Sequence, residues 1–278
     1  MPEDLIGAYD VQRISVRRHM SIDGLDAATP GHRTIGLVEL DVMLASERIA
    51  AMQRRGQRVS LFAFVVACIA RALSEHRPLN AIMSGRKIFR FEDVDVSMAL
   101  EVETPEGPYP YQLALRRAQT KSAPEIYAEI EAARARHAAG AAVSRESHFF
   151  ERMMTVLVWL PRFVRVWLLR RLTSFPLAVK RWSGTTFVTS VGKLASAPGF
   201  VIPFAAGPMA ASFALGSVVD KPVLRNGELR NHPFLALTVI VNHDLVDGGP
   251  AARFVHRLQQ LVEGADGLPA AEDAPTRA

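Results

Sequence analysis

The spacing of apolar and polar positions along the chain predicts a mixture of strands and helices without an internal repeat. Stretches that combine β-branched and apolar residues are typical of strands, and apolar residues on one side at helical spacing are typical of helices. The predicted strands are residues 32–42, two short strands within 87–103, and the stretches TFVTSV, AASFALGSVVDKPVL and FLALTVIVN in the final third. The predicted helices are residues 43–56, 60–78, 122–140 and 250–262.

Residues with strong capping or turn preferences mark the ends of these elements. Asp41, Ser60 and Ser122 each precede a predicted helix and are expected to cap it, because their side-chain oxygens can accept hydrogen bonds from the first helical N–H groups. The stretch 104–110 is rich in proline and glycine and is predicted to be a loop. Asn226-Gly227 predicts a tight hairpin between the last two strands.

The segment 149–172, FFERMMTVLVWLPRFVRVWLLRRL, combines aromatic residues with arginines. Residues at roughly helical spacing predict a helix here: Trp159, Phe163, Val166 and then Leu169 or Arg170. Pro161 and the arginines exclude a single helix that spans a bilayer. Two interpretations stay open. The helix packs on the domain or on a neighbouring subunit, or it lies at a membrane surface or forms a lid over an apolar acyl group.

The composition is that of a folded protein with a sizeable core, because 49% of the 278 residues are hydrophobic and 22% are charged. The 33 Lys and Arg against 28 Asp and Glu are scattered, so nucleic acid is not an expected partner. The single cysteine, Cys68, is expected to be a small buried residue. The eight histidines are dispersed and predict no metal site. The first residues contain no apolar leader, so we expect a cytoplasmic protein, with attachment to a membrane surface left open.

The stretch VIVNHDLVDGGPAARF at 239–254 places a histidine directly after a long apolar strand. Its His-x-x-x-Asp-Gly pattern at 243–248 resembles the active-site signature of the acyltransferase (E2) catalytic domain of 2-oxoacid dehydrogenase complexes, a family that belongs with chloramphenicol acetyltransferase. Other stretches are similar to the family's pattern in the same order: RPLNA, ETPEGPYP, GTTFVTSVG, VDKPVLRNGEL and DGGPAARFVHRLQQLVE. The likeness covers nearly the whole chain apart from 143–182 and the tail.

The resemblance implies a fold class and an assembly. The expected fold is a two-layer α/β sandwich of the chloramphenicol acetyltransferase type, with a mixed sheet and helices packed on one side. A single catalytic domain would span residues 1–265, with a helical insert at about 143–182 and a flexible polar tail at 266–278. The family also implies a homotrimer with each active site between two subunits. Coenzyme A would enter from one side and the thiol acceptor from the other.

The resemblance also assigns catalytic roles. His243 is expected to be the general base that takes a proton from one thiol and returns it to another, which suits a group that titrates near neutral pH. Ser190 matches the serine that stabilises the negatively charged oxygen of the tetrahedral intermediate. Thr189 stays an alternative, because one residue is missing before Gly192 relative to the family's usual pattern.

A further aspartate is expected to hold the active-site loop. By the resemblance, Asp247 pairs with an arginine near the N-terminus rather than forming a triad with the histidine. Arg18 is the best match for that partner, with Arg17 and Arg13 as further candidates. Gly248 would allow the tight turn into the helix that follows.

Three departures from the family pattern bear on function. The usual Asp-His-Arg is Asn242-His243-Asp244 here, which reverses the charge beside the base. We expect that no lipoyl domain precedes the catalytic domain, that this chain carries no lipoyl group and that another protein carries the acceptor. The polar end LPAAEDAPTRA stands where the family has the apolar anchor that joins trimers into cages. We therefore expect a trimer without a larger cage, unless 149–172 supplies another contact.

The predicted function is acyl transfer between coenzyme A, supplied as acyl-CoA, and a thiol acceptor similar to dihydrolipoamide. Two alternatives stay open. The changed residues beside His243 favour a catalytically degenerate trimeric scaffold or regulatory binding protein. The related fold serves several acceptors, so the acyl group of an acyl-CoA could instead pass to a non-lipoyl small molecule or a lipid.

Overall fold

The structure, a computed structural model, describes residues 10–11, 14, 16–28, 31–104, 107–138, 157, 159–190, 198–203, 207–225 and 227–270. The helices in these ranges are α1 (Val16–Ala27), α2 (Met43–Arg54), α3 (Leu61–Glu75), α4 (Ala123–Ala138), α5 (Arg162–Thr173), α6 (Pro176–Ser183) and α7 (Gly248–Glu263). The strands are β1 (Arg33–Asp41), β2 (Ala81–Ser84), β3 (Lys87–Arg90), β4 (Val96–Thr104), β5 (Gly107–Leu115), β6 (Thr186–Ser190), β7 (Ala211–Arg225) and β8 (Glu228–Asn242).

Six of the strands form one mixed sheet in the order β1-β8-β7-β6-β4-β5, and β2 and β3 form a separate hairpin. β6 runs parallel to both β4 and β7, whereas the β1–β8, β7–β8 and β4–β5 pairs are antiparallel. The pairing of β1 with β8 sets Arg33 opposite Asn242, so the start of β1 meets the end of β8. This junction carries the candidate site.

The main core lies between one face of the sheet and a layer of helices. Alternate residues of β8, from Leu235 to Val241, share this core with buried residues of α2, α3, α4 and α7. α3 is buried along most of its length, as its apolar sequence predicts. Burial raises the pKa of the Cys68 thiol to about 12, so this cysteine is an inert core residue at neutral pH. The mixed sheet with a helical layer confirms the predicted two-layer α/β fold.

A buried carboxylate joins α6 to the sheet. Asp95 is 4% exposed, and it accepts hydrogen bonds from Lys180 Nζ at 2.9 Å, from Arg116 at 3.2 Å and from the Arg117 N–H at 2.9 Å. Burial alone would raise the pKa of Asp95, but these hydrogen bonds and positive charges lower it below its ordinary value. Gly184, with φ +89°, passes so close that a Cβ there would lie 2.5 Å from the Asp95 carbonyl oxygen.

Several predicted element ends are confirmed. The Ser60 side chain accepts a hydrogen bond from the Ala63 N–H at 3.2 Å and caps α3. Ser122 directly precedes α4 as predicted, but its hydroxyl and its N–H donate to the Glu125 carboxylate at 2.7 Å, so the expected hydrogen bond from a helical N–H to its side chain is not the contact observed. The hairpin between β7 and β8 turns at Gly227, with φ +82°, while Asn226 lies outside the described residues.

Other expectations about element ends were wrong. Asp41 is the last residue of β1, and Val42 rather than Asp41 occupies the N-cap position of α2. The Asp41 carboxylate accepts a hydrogen bond from the Met43 N–H at 3.0 Å. Asp41 also lies 2.6 Å from His232 Nδ1, a buried pair that keeps it in the strand layer. The predicted loop at 104–110 is shorter, because β5 already begins at Gly107.

Two features near the ends of the described chain were not predicted from the sequence. α1 was not predicted, because its sequence VRRHMSIDGLDA has no continuous apolar stripe. The packed chain continues past 265 to Leu268, which is 5% exposed and whose carbonyl accepts from Arg48 at 3.0 Å. Residues 271–278 of the predicted tail and residues 143–156 of the predicted insert lie outside the described residues; the later part of the insert forms α5 and α6.

Candidate active site

His243 stands immediately after β8, whose last eight residues are all buried. Its backbone N–H donates to the His32 carbonyl at 2.7 Å, which continues the β1–β8 pairing by one residue. The N–H groups of Leu245 and Val246 then fold back onto the Asn242 carbonyl, both at 3.0 Å. The backbone that carries His243 is therefore fixed by the sheet on one side and by a closed turn on the other.

The side chains of His243 and Asp247 face each other across this turn. Nδ1 of His243 lies 3.8 Å from Oδ1 of Asp247, which is too long for a hydrogen bond. The His243 side chain is 51% exposed and that of Asp247 is 86% exposed. Asp247 takes the N-cap position of α7, which begins at Gly248. The imidazole is thus accessible to a molecule bound at this end of the sheet.

The predicted partner of Asp247 lies on α1. Arg18 is an exposed residue of this helix. Its pairing with Asp247 stays a prediction. Arg13 and the side chain of Arg17 lie outside the described residues. Within the described ranges, the Asp247 carboxylate contacts His243.

Two residues that sequence reasoning missed, His32 and Gly31, hold the loop from the β1 side. His32 Nδ1 lies 2.7 Å from Oδ1 of Asp244, and the His32 N–H donates to Oδ2 at 3.4 Å. The hydrogen bond from the His32 ring is the main cause that lowers the pKa of Asp244. A Cβ on Gly31 would lie 3.1 Å from Oδ1 of Asn242 and 3.2 Å from Oδ2 of Asp244, so a larger residue there would displace these two side chains.

Arg33 links this cluster to the segment that precedes β7. Its guanidinium donates to the Met209 carbonyl at 3.0 Å and to the Gly207 carbonyl. Burial lowers the pKa of Arg33, while the negative charge of Asp244 opposes that change. The sequence signal for His32 and Arg33 was weak, because only the β1–β8 register brings them to residues more than 200 positions away.

Ser190 and Thr189 lie far from His243 within one chain. Ser190, the last residue of β6, is paired with Leu215 of β7, which is paired with Leu237 of β8. Leu237 is six residues before His243, so about 20 Å of strand separates the two ends. Ser190 and Thr189 also point to opposite faces of the sheet, because successive strand side chains alternate. One chain therefore does not bring the predicted base and the predicted oxyanion donor together.

The described residues include no cluster of three or more His, Cys, Asp or Glu side chains that could hold a metal ion. None of the helices in the described ranges is long and apolar enough to span a bilayer.

A family model described as 2-oxoacid dehydrogenases acyltransferase (catalytic domain) matches residues 15–148 and 174–269. The matched ranges include β1, the His243 loop and β6, and they leave out 149–173, which contains α5.

Two curated relatives are components of 2-oxoacid dehydrogenase complexes. The dihydrolipoyllysine-residue acetyltransferase component of the Mycoplasma pneumoniae pyruvate dehydrogenase complex is 25% identical over 213 residues, which are 77% of this chain and 44% of the relative. The lipoamide acyltransferase component of the Bacillus subtilis branched-chain alpha-keto acid dehydrogenase complex is 22% identical over 273 residues, which are 95% of this chain and 54% of the relative. The chain thus spans about half the length of these relatives.

Solved structures share the fold. The Azotobacter vinelandii dihydrolipoamide acetyltransferase superposes with a TM-score of 0.68 at 16% identity, over 96% of this chain and 98% of that one. The cubic core of a pyruvate dehydrogenase multienzyme complex superposes with a TM-score of 0.67 at 15% identity, over 96% and 98% of the two chains.

Proposed function

Because this chain belongs to the family of 2-oxoacid dehydrogenase acyltransferase catalytic domains, we propose that it transfers an acyl group between coenzyme A and a thiol acceptor, with His243 as the general base. The observation that carries the proposal is the position of the imidazole, half-exposed at the end of a buried strand within the region that the family shares. A base in this position can reach a bound thiol while its backbone stays fixed.

The reaction moves one proton between two sulfur atoms. His243 accepts the proton of the attacking thiol, and the sulfur bonds to the carbonyl carbon of the thioester while an electron pair moves to the carbonyl oxygen. A hydroxyl group donates a hydrogen bond to this oxyanion, and Ser190 is the preferred donor, with Thr189 as the alternative. The oxyanion then collapses, the bond to the leaving sulfur breaks, and that sulfur takes the proton from His243.

This mechanism requires two subunits. The strand ladder separates Ser190 from His243 by about 20 Å, whereas an oxyanion donor and a general base must both lie within about 3 Å of the reacting group. We therefore infer a homotrimer in which His243 of one chain faces Ser190 of the next. Asp247, with Arg18 as its proposed partner, would keep the His243 loop in place at this interface.

The relatives suggest the acceptor. The two curated relatives are named as a dihydrolipoyllysine-residue acetyltransferase and a lipoamide acyltransferase. We propose dihydrolipoamide, carried by a separate lipoyl-bearing protein, as the acceptor for this chain, and an acyl-CoA as the other substrate. Transfer to a non-lipoyl thiol or to a lipid is the alternative within the same chemistry. We propose a trimer without a larger cage, and light scattering would distinguish it from a cubic core.

Acyl transfer from a panel of short- to long-chain acyl-CoAs to dihydrolipoamide tests the proposal. Because donor and acceptor both carry thiols, free CoA and acylated lipoamide should be separated and quantified by mass. We expect His243→Ala to lower the transfer rate by about 10²- to 10⁴-fold, the usual contribution of a general base. His256→Ala is the matched control, because His256 is an exposed histidine of α7 outside the site.

The same experiment decides between the enzyme and the scaffold. Equal rates for wild type and His243→Ala would refute His243 as the base. A wild type that binds CoA, measured by calorimetry, but transfers none of the acyl groups to dihydrolipoamide, cysteamine or an amine acceptor would favour the scaffold. The Asn242-His243-Asp244 sequence is the observation behind that second candidate.

A further inference from the structure

We propose that α5 binds the surface of an anionic lipid membrane. Five residues, Trp159, Phe163, Trp167, Arg170 and Arg171, form what we call the aromatic–arginine face. Trp159 is 88% exposed, Phe163 75% and Trp167 62%, and these three residues recur every fourth position. Phe163 and Trp167 are one turn apart on α5, and Trp159 lies in the turn before it. Large aromatic side chains grouped at this exposure mark an interaction surface rather than scattered exposed residues.

Arg162 and Arg165 fix the side of α5 away from Phe163 and Trp167 to α1. Arg170 lies at the edge of the aromatic–arginine face, where it donates to the Asp26 carbonyl of α1. Arg165 Nε lies 2.6 Å from the carboxylate of Asp23, whose side chain is 2% exposed. Arg162 pairs with both Asp23 and Asp26. Two aspartates of α1 thus neutralise the arginines on the packed side. The Arg165–Asp23 pair is buried, whereas the Arg162–Asp26 pair is exposed. With α5 held to α1 on this side, Phe163 and Trp167 stay exposed.

The charge of this region selects the partner. Residues 157–183 contain six basic residues and no acidic one, and no Asp or Glu occurs anywhere from 152 to 219. Arg170 donates a hydrogen bond to the backbone carbonyl of Asp26 in α1 at 3.1 Å. The guanidinium of Arg171 lies 5.5 Å from the centre of the Phe175 ring. In the part of the chain that the structure describes, neither arginine forms an ion pair with a carboxylate, so both can interact with an anionic surface. Tryptophan beside arginine suits the boundary between lipid headgroups and acyl chains, where an apolar ring and a cation are both stabilised.

Two further observations favour a lipid surface over a second copy of this chain. A symmetric contact of the face with itself would bring like charges together, whereas an anionic surface neutralises them. The family model skips 149–173, so α5 is an addition to the shared catalytic fold. With twelve residues, α5 is suited to lie on the membrane rather than to cross it.

Tryptophan fluorescence of the intact chain can test this proposal directly. The chain has three tryptophans, and Trp159, Trp167 and Trp182 all lie in or beside α5 and α6. We expect their emission to shift to shorter wavelength with vesicles of equimolar phosphatidylcholine and phosphatidylglycerol. The protein should sediment with these vesicles but not with phosphatidylcholine alone. Added salt should weaken binding, because it screens the attraction between arginine and phosphate.

Variants separate the aromatic and the charged contributions. Trp159→Ser, Phe163→Ser and Trp167→Ser combined should reduce partitioning at least about tenfold, because the apolar contact is lost. Arg170→Gln with Arg171→Gln should reduce it about 30-fold, which corresponds to about 1 kcal/mol for each arginine. The control is Leu224→Ser with Leu229→Ser, a pair on the β7–β8 hairpin that is 69% and 70% exposed. This control should bind vesicles as the wild type does.

Three results would overturn the proposal. The first is the absence of any fluorescence shift or sedimentation with the anionic vesicles. The second is unchanged binding by the aromatic variant. The third is a smaller mass of the aromatic variant by light scattering, because the face would then be a contact between copies. The proposal does not depend on the acyltransferase activity, since none of these residues is placed in the active site.

Discussion

Two inactive chains should restore each other's activity if the active site lies between subunits. His243→Ala and Ser190→Ala chains are co-expressed with different affinity tags. Hybrid oligomers that contain both chains are then purified on the two tags in turn. Within one chain, β6 and the end of β8 are separated through the Ser190–Leu215–Leu237 pairing. The two side chains can therefore act together only across an interface.

The size of the recovery follows from the symmetry of the trimer. In a cyclic trimer each site takes the histidine of one chain and the hydroxyl of its neighbour. Every hybrid therefore contains one intact site of three, and the rate should reach about one third of the wild-type rate. Loss of a general base or of an oxyanion donor costs about 10²-fold or more. The parent variants should thus remain at about 1% of the wild-type rate or below, so the recovery stands well above the background.

The assay is acyl transfer by purified hybrids, with the ratio of the two chains measured by intact mass. Thr189→Val in place of Ser190→Ala is the matched control, because Thr189 faces the other side of the sheet. The chain with Thr189→Val should remain active by itself. Hybrids no faster than the parent variants would refute the pairing of His243 with Ser190 across subunits. If Thr189→Val were inactive and Ser190→Ala active, Thr189 rather than Ser190 would be the residue that stabilises the oxyanion.

Three further predictions concern the framework of the site. Asp95→Asn should lower the free energy of unfolding in urea by about 2 kcal/mol, because the buried carboxylate loses its charge-assisted hydrogen bonds with Lys180 and Arg116. The pKa of Asp95 is lower in the folded than in the unfolded protein. The charged carboxylate therefore stabilises the fold fully above about pH 4, and this contribution is lost as the pH falls through the folded-state pKa. Asp95→Asn should therefore lose less stability on acidification than the wild type. Gly184→Ala should lower the free energy of unfolding by about 3 kcal/mol, because it combines a positive φ with a clash. Gly56→Ala, with φ +80° and open space around it, should lower it by about 1 kcal/mol in the same measurement. Gly31→Ala should lower kcat for acyl transfer about tenfold by displacing the His243 loop. Gly24→Ala is the control and should leave kcat unchanged, because an added Cβ there would have no neighbouring atom within 4 Å. Equal rates for the two variants would contradict the role of Gly31.

Elements whose sequence pattern matches their burial could be predicted from the sequence. β8 ends in eight buried residues, and α3 is buried along most of its length, so both are apolar enough to identify. α1 could not be found in this way. It is held by the ion pairs of Asp23 and Asp26 with arginines of α5 more than 130 residues away, and such contacts leave no local periodicity.

The same limit applies to the site. His243 was found because its signature is local, with the aspartate four residues away and a glycine next to it. His32 reaches the loop only through the register of β1 and β8, and the sequence does not encode that register in a short motif. Asp41 was predicted to cap α2, whereas Val42 occupies the N-cap position, because an aspartate before a helix has the same sequence appearance whether it caps the helix or ends the strand.

The structure also changes the meaning of the reversed charge beside the base. From the sequence, Asp244 favoured a degenerate scaffold, because an arginine is usual at this position. In the structure the Asp244 carboxylate lies 2.7 Å from the ring of His32 and attracts the guanidinium of Arg33. The Asp244 carboxylate is therefore held by a hydrogen bond to His32 and attracted by Arg33 at the start of β1, while the imidazole of His243 faces Asp247 instead. A substitution that brings its own partner preserves the loop, so the change at Asp244 is not in itself a reason to expect loss of turnover.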